Sequence, residues 1–293
     1  MATIRDVAKR AGVAPITVSR VINHAGNVSE GTEARVRAAI DALGYVPNRL
    51  ASSFRSKQTH TLGLVLTDIT NPFWTTVARG VEDQASDHGF NVILCNTDES
   101  KAEEEKYVNV LLQKQVDGFL LVPTSETGKT IDRIRKQNTP VVILDRSVSH
   151  KVDTVRCDSE GGAYQLTRHL IDLGHRRIAV LSGSQKVSTA VDRVRGYARA
   201  LRESGIAVDG ALIRYKAFNQ EAGYEMTNAV LSQEPPPTAL FAVNNFIAIG
   251  ASRALRDLGL RVPEDVSLVT FDDLPSALIV DPFLTVAAQP AYE

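Results

Sequence analysis

A chain of 293 residues accommodates a small module plus one or two larger domains, and it can bury roughly 75% of its unfolded surface without disulfides. The net charge of −1 hides an imbalance: residues 1–57 carry nine Lys/Arg against four Asp/Glu, and residues 58–293 carry 24 against 30, so only the head suits a polyanion. No secretory apolar stretch follows Met1, and no run nears the roughly 18 apolar residues of a membrane span, which points to a cytoplasmic protein without a membrane partner.

Thr3 and Asp6 precede an apolar pattern of Ile4, Val7, Ala8 and Ala11, which predicts a capped helix stopped by Gly12. A second helix opens with Pro15 in its first turn, where a missing N–H costs nothing, and buries Val18, Val21 and Ile22. Ser29 is the expected cap of a third helix, which turns Val36, Ala39, Ile40 and Leu43 inward before Gly44. Two short helices joined at a glycine, with a third packed behind, describe a helix-turn-helix.

The run TIRDVAKRAGVAPITVSRVINHAGNVSEGTEARVRAAIDALGYVPNRLASSFRS closely resembles the DNA-binding head of the lactose-repressor (LacI) family. The resemblance implies that the helix from Pro15 enters the major groove of operator DNA, with Pro15, Ile16 and Arg20 at base-reading positions. Arg20 has the fork that pairs with guanine O6 and N7. Pro15 and Ile16 depart from the polar pair common in the family and offer only apolar contact, for instance to thymine methyls; Ala14 replaces the usual hydroxyl cap. Thr17, Ser19 and Asn23 match phosphate-contacting positions, which fix register without reading sequence. Beyond Pro47 the resemblance assigns Asn48, Leu50, Ser53, Phe54 and Arg55 to the DNA as well. Their segment is too short to be a stable helix alone and folds on its partner. Phe54 stands where relatives wedge a leucine into the minor groove, and Arg55 stands beside it at a phosphate.

From Thr61 onward, apolar runs alternate with helical stretches: Leu62–Leu66, Val92–Cys95, Phe119–Val122, Val141–Leu144, Ile178–Leu181, Leu240–Val243 and Val266–Phe271. Gly89, Gly174, Gly205 and Gly259 repeat a helix stop before the next strand. Alternation of this kind predicts doubly wound parallel sheets, and over two hundred residues predict two lobes of them. Cys95 and Cys157 lie in strand-like stretches without a CxxC or His-rich neighbourhood, as buried core thiols of a reducing compartment do. His169 and His175 read as a helix-face residue and a cap.

Ligands of such sheets bind beyond the carboxyl ends of the strands. Asp68, Asn71, Phe73 and Trp74 gather at the first of those ends, Ser125 at the third, and Asp145 with Arg146 at the fourth. Asp158, Arg193, Phe218, Asn245 and Asp272 stand at comparable later points. The motifs TDITNPFWTTVARGVE, VDGFLLVP, LDRSV, DSEGGAYQLTRHLIDLGHRRIAVLSG, DRVRGYARAL, FNQEAGYEM and LVTFDDLPSA resemble the same family's effector domain, which is similar to periplasmic sugar-binding proteins. The resemblance carries Asp68, Asn71, Phe73, Arg146, Asp158, Arg193, Phe218 and Asp272 over as effector contacts. Asn245 departs from the family's Asp and removes a negative charge from the site.

The expectation is therefore a small all-α helix-turn-helix head (1–46), a hinge (47–60), and an α/β periplasmic-binding-protein-like body (61–293). Two doubly wound lobes, about 61–159 and 160–288, make up the body. The implied function is a nucleoid-associated, homodimeric transcriptional regulator, a repressor, that binds a pseudo-palindromic operator under control of a carbohydrate effector. No cofactor or metal is implied. No G-x-S-x-G, GxGxxG after the first strand, P-loop or HExxH supports an enzyme, and the basic head argues against a transport-type sugar-binding protein. The run DPFLTVAAQPAYE resembles the segment that crosses back to the first lobe; its stop at Glu293 leaves a second expectation, a truncated regulator with weakened DNA or effector binding.

Overall fold

The computed structural model describes residues 2–23, 25–46, 58–125, 128–273 and 284–293. They form two compact units, Met1–Thr59 and His60–Glu293.

In the first unit, α1 (Ile4–Ala11) begins with a full capping box: the Asp6 amide donates to Thr3 Oγ1, and the Thr3 amide donates to Asp6 Oδ2 at 2.8 Å. Gly12, left-handed at φ 65°, ends it. Helix α2 (Pro15–Ile22) has Pro15 in its first turn and no side-chain cap. Helix α3 (Glu30–Leu43) corrects one expectation: Ser29 sits at the cap position, but its hydroxyl donates to Thr32 Oγ1 rather than accepting a backbone amide. Val7, Ala8, Ala11, Val18, Val21, Val36 and Ala39 close the core, with Ile22, Ile40 and Leu43 half-buried around it. Asn48, Leu50, Ser53, Phe54 and Arg55 lie outside the described residues.

The second unit holds two five-stranded parallel sheets of one topology. The first has the order β2-β1-β3-β4-β5, from β1 (Thr61–Leu66), β2 (Asn91–Asn96), β3 (Gly118–Leu121), β4 (Val141–Leu144) and β5 (Asp153–Val155). The second, β10-β9-β8-β6-β7, is built from β6 (Ile178–Ser182), β7 (Ile213–Tyr215), β8 (Ala239–Ala242), β9 (Ser267–Phe271) and β10 (Thr285–Ala287). Central strands β6 and β8 are buried at every residue, as parallel strands covered on both faces must be. Edge strand β5 is exposed at every residue.

The helices α4 (Pro72–Asp87), α5 (Lys101–Gln113) and α6 (Lys129–Lys136) cover the first lobe, and α7 (Ser159–Asp172), α8 (Ser188–Glu203), α9 (Gln220–Leu231) and α10 (Asn245–Asp257) the second. Gly250 lets α10 approach α9: a Cβ there would lie 1.9 Å from the Gln220 carbonyl oxygen. Residues 284–293 run from the second lobe back to α4, where Tyr292 donates to Asp83 Oδ2 at 2.8 Å. Cys95 is a buried core thiol as expected, whereas Cys157 is only half-buried, because it follows the exposed edge strand β5. His169 is an exposed residue of α7; His175 links the strand starts instead, through Thr238 Oγ1 and Ser267 Oγ, both at 2.9 Å. Among the described residues no helix is long and apolar enough to cross a membrane.

Candidate functional site

On the head, burying Val18 and Val21 turns the opposite face of α2 to solvent. Pro15, Ile16 and Arg20 are exposed there, and Ile16 keeps 53% of its surface in water, an apolar side chain with no place in the core. Asn23 ends the helix and donates to the Ser19 carbonyl at 2.8 Å and to Ser19 Oγ at 3.2 Å. Thr17 and Ser19 are half-buried.

In the second unit, strand carboxyl ends of both sheets converge on a cleft of about 250 Å³. Eight expected residues line it: Asp68, Asn71, Phe73, Trp74 and Arg146 from the first lobe, and Arg193, Phe218 and Asp272 from the second. Local chemistry sets each one. Asp68 Oδ1 accepts from the amide and hydroxyl of Thr70, fixing the turn after β1. Asn71 caps α4 by accepting from the Phe73 amide at 3.0 Å. The rings of Phe73 and Trp74 meet edge to face, centroids 4.7 Å apart. The Phe218 ring lies against Gly183, where a Cβ would come within 2.2 Å of it.

Three expected residues lie elsewhere. Asn245 is wholly buried and spends its amide within the protein: it exchanges hydrogen bonds with Asn71 and donates to the Asp273 carbonyl. Asp158 caps α7 by accepting from the Gly161 amide at 2.8 Å, and it lines a second, more open cavity with Arg156, Cys157 and Asp192. Ser125, four residues past β3, is absent from the cleft wall. Sequence reasoning missed Asp98, Glu99, Asn219, Asn244 and Gln289, and it noted Asp145 without assigning it; all six line the cleft.

Both guanidiniums of the cleft are paired with carboxylates. Arg146 donates through Nη1 to Glu99 Oε2 at 2.8 Å and to the Pro123 carbonyl at 2.9 Å, and its other terminal nitrogen binds Glu99 Oε1. Burial works against its charge, but Glu99 outweighs that penalty and raises its pKa above the ordinary arginine value. Arg193 donates to the Val243 carbonyl at 2.6 Å, stacks 3.8 Å over the Phe271 ring, and stands 3.7 Å from Asp272 Oδ2. Burial pushes Asp272 above the usual carboxylate range despite Arg193 and the Gln289 amide that donates to it.

Asp145 and Asp272 hold equivalent places in the two lobes. Each follows a penultimate strand, donates its amide to the neighbouring edge strand, and adopts a left-handed backbone, at φ 64° and 67°. Such strain in residues other than glycine gathers at ligand sites. Among the described residues no His/Cys/Asp/Glu group could hold a metal ion.

Comparison with known proteins accounts for both units. Residues 3–48 match the family described as bacterial regulatory proteins, lacI family, and residues 59–292 match periplasmic binding proteins and sugar binding domain of LacI family. The chain is 37% identical over 292 residues to the HTH-type transcriptional repressor PurR of Photobacterium profundum, covering 99% of this chain and 87% of that one. A crystal structure of the Lac repressor dimer bound to operator and the anti-inducer ONPF is similar at a TM-score of 0.85 and 28% identity, over 99% of this chain and 88% of that one. A LacI family regulator from Enterococcus faecium with bound ribose is similar at 0.70 and 33%, over 79% and 85%. Such relatives are regulators of transcription and not enzymes. The chain belongs to the LacI family of DNA-binding transcriptional regulators.

Proposed function

We propose that this regulator is a repressor that binds a pseudo-palindromic operator as a homodimer and responds to a sugar in its cleft. The observation that carries the reading is the makeup of the cleft: charged hydrogen-bonding groups from both lobes share its wall with the aromatic side chains of Phe73, Trp74 and Phe218. Carboxylates and amides bind hydroxyls, and aromatic rings cover the C–H faces of a sugar. At about 250 Å³ the cleft falls just below the roughly 300–1,000 Å³ of drug-sized sites, which favours a monosaccharide. The ribose in the Enterococcus faecium relative supports that size.

On the head, Arg20 reads a guanine, Pro15 and Ile16 offer apolar contact to bases, and Thr17, Ser19 and Asn23 touch phosphates. The hinge at 47–60 supplies Asn48, Leu50, Ser53, Arg55 and the wedge Phe54. The dimeric, operator-bound Lac repressor supports pairing. Ile93 on edge strand β2 and Val110 on α5, 39% and 42% exposed, offer apolar surface for a second copy. Ligand closing the cleft shifts the lobes and so changes DNA affinity, a coupling between two sites.

Selection of random double-stranded DNA on the purified protein, read by sequencing, tests this. An enriched inverted repeat is the expected outcome; sequence-blind, salt-sensitive binding alone overturns the reading.

A further inference from the structure

We infer that Glu99 sets the charge selectivity of the cleft, occupying Arg146 so that neutral sugars are accepted and phosphorylated or acidic ones refused. The inference rests on reading the cleft as a sugar site. The Glu99–Arg146 pair is lopsided: the Arg146 side chain is 7% exposed and the Glu99 side chain 38%. A ligand arriving from water therefore meets the carboxylate before the guanidinium.

The pair spans the sheet. Glu99 follows β2 and Arg146 follows β4, and β1 and β3 lie between those strands. The reach is made by two successive left-handed residues, Asp98 at φ 50° and Glu99 at φ 58°, a conformation unfavourable for residues other than glycine. Both terminal nitrogens of Arg146 lie on Glu99 and one of them also on the Pro123 carbonyl, so a ligand anion seeking a two-point contact must displace Glu99. Arg193 donates through Nη1 to the Val243 carbonyl, stands with that same nitrogen 3.7 Å from Asp272 Oδ2, and stacks its guanidinium on the Phe271 ring. Asp68, Asp98 and Asp145 add negative charge, and among the described residues no further cation lines the wall. Selectivity then arises from repulsion as much as attraction: an anion must displace Glu99 against like charge, while a neutral hydroxyl can add to the free edges of the pair.

Trp74 is the chain's single tryptophan and lines the cleft, so its fluorescence reports occupancy. The probes are inorganic phosphate and, separately, a panel of neutral pentoses and hexoses, titrated into the wild-type chain, Glu99→Gln, Glu99→Asp and Asp98→Asn. Wild type should show no saturable response to phosphate. Glu99→Gln should gain one, tighter by about tenfold or more because a freed guanidinium binds phosphate through two parallel hydrogen bonds. Glu99→Asp, one methylene too short for the bidentate pair, should gain less and serves where Glu99→Gln does not fold. Asp98→Asn removes the same charge without freeing Arg146 and should gain far less than Glu99→Gln, since it relieves repulsion alone. Three outcomes overturn the inference: phosphate bound equally by wild type and variants, no gain in either Glu99 variant, or an equal gain in Asp98→Asn. Failure of every neutral sugar to bind wild type would overturn the sugar reading instead, and the phosphate results stand apart from it.

Discussion

Asn71 and Asn245 exchange two hydrogen bonds between the lobes: Asn71 Nδ2 donates to Asn245 Oδ1 at 3.2 Å, and Asn245 Nδ2 donates to Asn71 Oδ1 at 3.0 Å. Asn71 is not free to turn its amide over, because the same Oδ1 caps α4 at the Phe73 amide. An Asp at 245 would set a carboxylate oxygen against Asn71 Oδ1 and the Asp273 carbonyl, with no donor among them. Asn245→Asp should therefore cost about 1–3 kcal/mol, the penalty of buried polar groups left unmatched. A thermal unfolding midpoint several degrees below wild type is expected, and an unchanged midpoint would remove the pair from the forces that join the lobes.

Gly183 leaves room for the Phe218 ring, and a methyl group there meets it at 2.2 Å. Gly183→Ala should displace the ring from the cleft and weaken sugar binding about tenfold, equivalent to about 1.4 kcal/mol. Calorimetry with a sugar that binds wild type measures it, and equal affinity in the variant would show that Phe218 does not cover the ligand.

Arg20 is exposed on α2 beside Ile16. Arg20→Ala should cost about 1–3 kcal/mol at one base position per half-site and relax preference there. Binding of single-base operator variants by wild type and mutant checks this; a uniform loss across all sequences would place Arg20 on phosphate.

The pH dependence of stability has a located contribution at Asp265. Its pKa is lowered from 3.8 to about 2, first by the side-chain hydrogen bonds from Arg261 and then by the Arg261 amide. A carboxylate depressed in the folded state stabilises above its unfolded pKa and loses that contribution as pH falls through its folded one. Asp265→Asn should unfold below the wild-type temperature at neutral pH, and the gap should close between about pH 4 and pH 2. A gap independent of pH would assign the effect to packing.

Most of the fold was legible because the signals were strong and local. Buried strands such as β6 and β8 are continuous apolar runs, and Gly89, Gly174, Gly205 and Gly259 all adopt the left-handed backbone that stops a helix. The edge strands β5, β7 and β10 escaped notice: each has three residues, and DTV, IRY and TVA carry no pattern long enough to read. In the cleft, Asp68, Phe73 and Arg146 followed from their places after strands. Glu99 and Gln289 did not, since only the sheet order brings Glu99 to Arg146, and only the return after β10 brings Gln289 to Asp272. Asn245 misled in the other direction, because a residue's place at a strand end does not reveal that a buried partner already holds its amide.

The most direct test is a reciprocal titration: sugar affinity, followed by Trp74 fluorescence, with and without operator, and operator affinity with and without sugar. Binding at coupled sites must change by one factor in both directions. Equal factors different from unity are expected. A sugar that saturates the cleft yet leaves operator affinity untouched would contradict the claim that this cleft controls the DNA-binding head.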